Sequence, residues 1–225
     1  MTFSVVGRCA RTGAFGVAIT SSSPAVASRC AYVRSGVGAA ATQNVTDPRL
    51  GPALLDALEH GLDAEAAVAQ VAGEATYAQW RQFSAVDLRG GSAVFSGSQS
   101  LGINGDALGE GCVAAGNMLA SLGVLTSCVV AFERDHAAEL EERLVAALEA
   151  GLGAGGEAGP VHSAGLLVVR DVDWPVTNLR VDWSESPIAD LRALWSLWAP
   201  QRDDYVTRAL APDDAPGYGV PGDDR

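Results

Sequence analysis

The sequence predicts an α+β fold in which mostly antiparallel strands form sheets and helices cover their outer faces. Three observations carry this. β-rich runs return in pairs around short glycine-bearing turns at 2–20 and 81–97. Helical patterns fall in groups between those strand blocks rather than alternating one for one with strands. No internal repeat, second domain boundary or low-complexity region appears, so one domain over 1–210 is expected, with 211–225 as an extended acidic Pro/Gly-containing tail.

Residues 2–20 read as a hairpin. Phe3, Val5, Val17 and Ile19 favour strand, and Gly13 supplies the positive φ such turns need. Ser21-Ser22-Ser23-Pro24 must leave regular structure, because a residue before proline is pushed out of helix. Residues 31–44 are strand material with close backbone packing, broken by Gly36 and Gly38. Asp47 and Pro48 suit the cap and first position of a helix reaching His60, and Gly61 stops it. Asp63 caps a second helix that ends near Gly73.

Residues 81–87 and 92–97 form the second hairpin. A glycine-rich link then leads to a short apolar strand at 112–119. Residues 124–132 are helical in this context, although a buried strand has the same composition. Residues 136–150 are an amphipathic helix with Leu140, Leu144 and Leu148 on one face and Glu139 paired to Arg143 at i,i+4. After a glycine-rich stretch come strands at 164–170 and 178–183. A helix from Pro187 then places Trp195 and Trp198 in the core or at a subunit contact. Those aromatics, with the Asp/Pro-rich segments after them, lead us to expect a homo-oligomer.

The chain has 225 residues, a formal net charge of −12 and no lysine; every basic side chain is arginine. An acidic chain without a basic stripe is a poor nucleic-acid binder, since phosphate neutralisation supplies most of that affinity. No stretch approaches the roughly 18 apolar residues of a membrane span, and no signal segment opens the chain; a cytoplasmic protein without membrane partners is expected. Cys9, Cys30, Cys112 and Cys128 show neither C-x-x-C nor metal-ligand spacing, so reduced, buried thiols and no metal or cofactor are expected.

The chemistry concentrates at Thr2. If Met1 is trimmed, a hydroxyl and a free α-amine sit on one residue at the start of a strand. The amine, with an intrinsic pKa of about 7.7–8.0, can take the hydroxyl proton. Ser21 and Ser22 leave the second hairpin strand beside Thr2, where Ser21 can orient its amine and Ser22 contact substrate. Asn117 is a candidate oxyanion donor. Gln43, Asn44 and His162 are candidate substrate-binding groups. Each also has a plain structural reading, as a turn, cap or loop residue.

Several segments, in order, resemble the family known as domain of unknown function 1028. They are M-T-F-S-V-V-G-R at 1–8, T-G-x-F-G-V-A at 12–18, G-V-G-A-A-A-T-Q at 36–43 and G-N-M-L-A at 116–120, followed by A-L-E-A-G at 147–151, H-S-A at 162–164 and L-R-V-D at 179–182. The resemblance implies the N-terminal nucleophile hydrolase superfamily: a four-layer αββα sandwich, hydrolysis of a small-molecule amide-type C–N bond, and Thr2 as nucleophile. A non-catalytic oligomeric small-molecule-binding protein on the same scaffold is the alternative. The opening is also similar to proteasome β subunits, but this chain lacks a lysine to tune the threonine, so an arginine must supply that field or the analogy fails there. Many relatives resemble G-G-D-R-R-G-x-Q-S-A where this chain has G-G-E-A-G-P-V-H-S-A at 155–164, which implies a different ligand.

Overall fold

A computed structural model describes residues 1–223. The first hairpin forms as its composition dictates, with β1 (Thr2–Arg8) and β2 (Phe15–Ser21) paired antiparallel from Thr2–Ser21 to Arg8–Phe15. β1 is buried almost throughout, so both of its faces are core. Phe3 and Val5 join the cluster that packs against helices, whereas Val6 joins the one between the sheets. Full burial of a side chain such as Phe3 contributes about 1.5–3 kcal/mol.

A short helical turn, α1 (Ala27–Cys30), follows the post-hairpin loop, and the stretch 31–44 is the interrupted strand expected, β3 (Ala31–Arg34) and β4 (Gly38–Asn44) joined around Gly36. α2 (Leu50–Glu59) begins later than Asp47 suggested. Asp47 spends its carboxylate on the Arg49 backbone and guanidinium, at 2.7–3.1 Å, rather than on a helical first turn. Asp63 does cap α3 (Ala64–Glu74), accepting from the Ala66 N–H at 2.9 Å. β5 (Arg81–Asp87) and β6 (Ser92–Ser96) form the second hairpin.

β7 (Gly105–Gly109) lies in the stretch expected to be a link and pairs with β8 (Cys112–Asn117). α4 (Gly123–Glu133) resolves the helix-or-strand alternative as helix, and α5 (Leu140–Gly153) starts after a turn. Arg143 does not pair with Glu139. It turns inward against the Phe132 carbonyl and ring, while Glu139 faces Arg11 and Arg202. β9 (Ser163–Val169), β10 (Thr177–Val181) and α6 (Pro187–Trp198) follow. The Asp-rich segment after Pro200 folds as α7 (Arg202–Leu210). Arg225 and its neighbour, the end of the expected tail, lie outside the described residues.

Two antiparallel sheets result, six strands in the order β10-β9-β2-β1-β8-β7 and four in the order β3-β4-β5-β6. They stack face to face, with α4, α5 and α6 outside the larger and α2 and α3 outside the smaller. The architecture is a four-layer αββα sandwich. Gly7 and Gly16 sit opposite each other in β1 and β2 and let the helices approach. A Cβ on Gly7 would lie 2.6 Å from Phe132, and one on Gly16 the same distance from Leu144. Trp195 is buried and donates to Glu142 at 3.0 Å, and Trp198 donates to the Val176 carbonyl, so both aromatics serve the chain's own packing. All four cysteines are buried as free thiols.

Candidate active site

The register of the larger sheet assembles a polar row. Ser163, Ser21, Thr2 and Asn117 lie directly opposite one another on β9, β2, β1 and β8. None is more than 6% exposed. Three of the residues nominated from the sequence therefore meet across 115 residues of chain because strand pairing puts them in line.

Beneath Thr2, on the same face of β1, Ser4 donates to Gln43 Oε1 at 2.7 Å. Gln43 Nε2 donates to Gln82 Oε1 at 2.8 Å, which also accepts from Asn117 Nδ2 at 3.1 Å. Gln82 Nε2 in turn reaches Ser96 Oγ at 2.9 Å and the Gly116 carbonyl at 3.0 Å. This buried amide chain ties the two sheets together under the nucleophile candidate and fixes the Asn117 side chain. Asn117 keeps a second amide hydrogen beyond the one given to Gln82, and its Oδ1 has no donor among the described residues.

Thr2 Oγ1 lies 3.2 Å from Ser21 Oγ. Ser21 Oγ is 2.9 Å from Ser23 Oγ, which accepts from Arg29 Nη2 at 2.6 Å. Arg29 is pinned by the Pro24 and Ala25 carbonyls at 2.7 and 2.9 Å. A guanidinium thus reaches Thr2 through two hydroxyls, and it is an arginine, not a lysine, that supplies positive charge here.

Met1 occupies the space in front of the row. Its carbonyl oxygen accepts from the Thr2 and Ser21 hydroxyls, each at 2.5 Å. Its Cε would lie 3.1 Å from a Cβ placed on Gly159, so that glycine leaves room for it. Glu157 stands beside the amino terminus, 4% exposed, and accepts from the Ser22 N–H at 3.3 Å through Oε2, while Oε1 has no donor among the described residues. Burial pushes its carboxyl up to about 7, with the N-terminal amine and the Ser22 N–H pulling the other way. Two segments flanking Thr2 carry left-handed backbone at residues with a Cβ, Ala25 at φ 52° and Met118 at φ 50°. Such strain persists where surrounding structure imposes it and clusters at functional sites.

The other nominated residues serve differently. Gln43 is a strut with both amide ends bonded and 1% exposure, which leaves nothing for a substrate. Asn44 is likewise spent, donating to the Trp80 carbonyl at 2.5 Å and accepting from the Leu101 N–H at 3.2 Å. Ser22 contributes its backbone N–H to Glu157. His162 joins the site through its backbone, which donates to the Ser21 carbonyl at 2.8 Å. Its ring stacks on Trp183 at 4.4 Å, with Nδ1 3.2 Å from the Ser184 carbonyl. Glu157, Gln82 and Arg29 were missed. Only Glu157 left a signal in the sequence: an acid stands at that position both here and in the G-G-D-R-R-G pattern of the relatives. A cleft of about 370 Å³ at the other end of the sandwich, between Gly36, Leu58, Asp63 and Arg89, contains none of these groups.

Fold and site define a two-sheet sandwich with a hydroxyl residue opening a central strand, beside the chain's own amino terminus. The chain belongs to the family described as "Family of unknown function (DUF1028)", whose model matches residues 2–191. It is similar to protein SPO2555 from Silicibacter pomeroyi, a DUF1028 protein of known crystal structure, at 31% identity over 90% of this chain and 94% of that one, with a TM-score of 0.82. More distant similarity extends to Anbu (ancestral beta-subunit) from Yersinia bercovieri, at 11% identity over 97% and 100% of the two chains and a TM-score of 0.38. The Anbu (Gly-1) mutant from Hyphomicrobium sp. strain MC1 gives 11% identity over 98% and 100%, with a TM-score of 0.45. Comparison with curated proteins gives no match.

Proposed function

We propose that this protein is a hydrolase of the N-terminal nucleophile type, which cleaves a small amide-type C–N bond with Thr2 as nucleophile after Met1 is removed. The observation that carries the reading is the placement of Thr2, buried in register between Ser21 and Asn117, at the one strand end where an amino terminus and an acid also converge. The Met1 carbonyl, held at 2.5 Å by the Thr2 and Ser21 hydroxyls, supports a site that takes an acyl group about the size of one amino acid.

In this mechanism the Thr2 α-amine takes the Oγ1 proton as Oγ1 attacks the substrate carbonyl carbon. The second Asn117 N–H meets the charge that develops on oxygen. The ammonium returns its proton to the leaving nitrogen as the C–N bond breaks, leaving an ester on Thr2. Water then attacks that ester and gives a proton to the amine; Oγ1 recovers a proton as the C–O bond breaks. Ser21, polarised through Ser23 by Arg29, orients the hydroxyl and amine. Glu157 sets the charge next to the ammonium.

The test is a pair of proteins, one with an uncleavable N-terminal extension and one with a C-terminal tag, assayed on a panel of small amides and ureido compounds. Turnover only with the C-terminal tag, lost in Thr2→Ala, is the expected result. Equal turnover from both, or from Thr2→Ala, would refute the mechanism. Intact mass of the active protein must show Met1 absent, because Met1 fills the space a substrate needs.

A further inference from the structure

At the end of β1 away from Thr2, three turns meet: the β1–β2 turn after Arg8, the β5–β6 turn at 88–91 and the β7–β8 turn at 110–111. The Arg8 N–H donates to the Gly111 carbonyl at 2.8 Å, and a Cβ on Gly90 would lie 3.7 Å from the Gly111 Cα. Between them is a cavity of about 130 Å³ lined by Arg8, Arg89, Arg143, His136 and Glu110. It is large enough to hold several waters.

The arginines are the notable feature of this cavity. None of the three has an ion pair among the described residues, as is also true of Arg29, Arg81, Arg134 and Arg208. Arg143 is 4% exposed, with its guanidinium 4.0 Å from the Phe132 ring centroid. Its Nε donates to the Phe132 carbonyl at 2.9 Å, Nη2 lies 3.4 Å from His136 Nδ1, and the Cys9 side chain and the Asp135 carboxylate also favour its charge. Arg8 Nε is buried with no acceptor, and its guanidinium lies 5.9 Å from the Phe15 ring centroid. The Arg89 side chain makes no hydrogen bond among the described residues. Carboxylates also stand near. Glu110 is on the exposed rim, Glu133 accepts from the Glu110 N–H at 2.6 Å, and Asp135 accepts from the Ala137 N–H at 2.9 Å while favouring the charged form of Arg143.

Burying the Arg143 guanidinium costs several kcal/mol, and the buried Arg8 Nε at the same cavity has no acceptor among the described residues. Such a cluster is stabilised by an anion that fills the cavity and accepts from all three forks. We infer that this cavity is a binding site for a small tetrahedral oxyanion of the phosphate class, either free or as the terminal group of a small metabolite. The site stands at the opposite end of β1 from Thr2. Its failure would leave the hydrolase reading untouched, and the reverse holds too.

The test is calorimetric titration of the full chain with inorganic phosphate, sulfate and acetate at constant ionic strength in chloride. Phosphate should bind with a Kd of about 1 mM or tighter, and acetate at least about tenfold more weakly. Arg89→Ala, on an exposed turn, should weaken phosphate at least about tenfold while leaving the unfolding midpoint without phosphate within about 2 °C. Arg8→Gln should do the same to affinity. Glucose 6-phosphate run beside free phosphate separates the two sources, because only an open cavity mouth lets the esterified group bind comparably. No heat from phosphate up to about 10 mM would overturn the inference. So would acetate binding equal to phosphate, or Arg89→Ala and Arg8→Gln both binding as the unaltered chain does.

Discussion

Glu157→Gln isolates the buried acid beside the amino terminus. The folded carboxyl titrates at about 7 against an ordinary 4.5, and the first cause is burial. Between those values the folded chain holds a proton that the unfolded chain has released. The group's contribution is therefore fully present below about 4.5, declines as pH rises, and is lost above about 7. Glutamine mimics the protonated acid at every pH and removes this dependence. Integrating the two titrations from pH 5 to pH 8 gives roughly 2.5 kcal/mol, lost by the parent chain and kept by the variant. Urea unfolding at both pH values reads this difference as a shift of about 1 M in midpoint, at a slope of about 2–3 kcal/mol/M. Subtracting one protein from the other cancels the carboxylates they share, provided intact mass shows the same N-terminus in both. Parallel pH dependences would refute the burial argument and with it the acid's coupling to the amine.

Asn117→Ala should lower kcat by about 10²–10³ with little change in KM, the usual loss for one oxyanion donor, in a chain whose circular dichroism is unchanged. A rise in KM alone would assign Asn117 to ground-state binding instead. Arg29→Met should destabilise the loop after β2 by about 1.5–3 kcal/mol, because three charge-assisted bonds are lost, and should shift the acid limb of the rate profile. Unaltered urea midpoint and pH profile would remove Arg29 from the relay.

The positions of the two hairpins, the Asp63 cap and the hydroxyl residue heading β1 were legible because each is set by local chemistry: β-branched runs, a side chain that accepts from its own helix, a turn glycine. Local signals also misled where a side chain took another partner. Asp47 reads as a helix cap but bonds Arg49, and Arg143 reads as an i,i+4 partner of Glu139 but turns under Phe132. β7 escaped notice because an edge strand in which half-buried Gly105, Ala107 and Gly109 alternate with exposed Asp106 and Leu108 lacks the composition that marks a strand.

The sequence by itself determined that a threonine could open a strand and that Ser21 would follow the strand paired with it, while the register, which makes Ser21 the last residue of β2 opposite Thr2, came from the structure. Only the tertiary structure decided that Asn117 lies opposite Thr2, that Gln43 and Gln82 are struts, that Arg29 reaches the site through Ser23, and that Glu157 is buried beside the amine. Those relations join residues between 6 and 156 positions apart, through sheet register and burial. Neither quantity is a property of a window of sequence. Each exists once the two sheets have stacked and water has been excluded from between them.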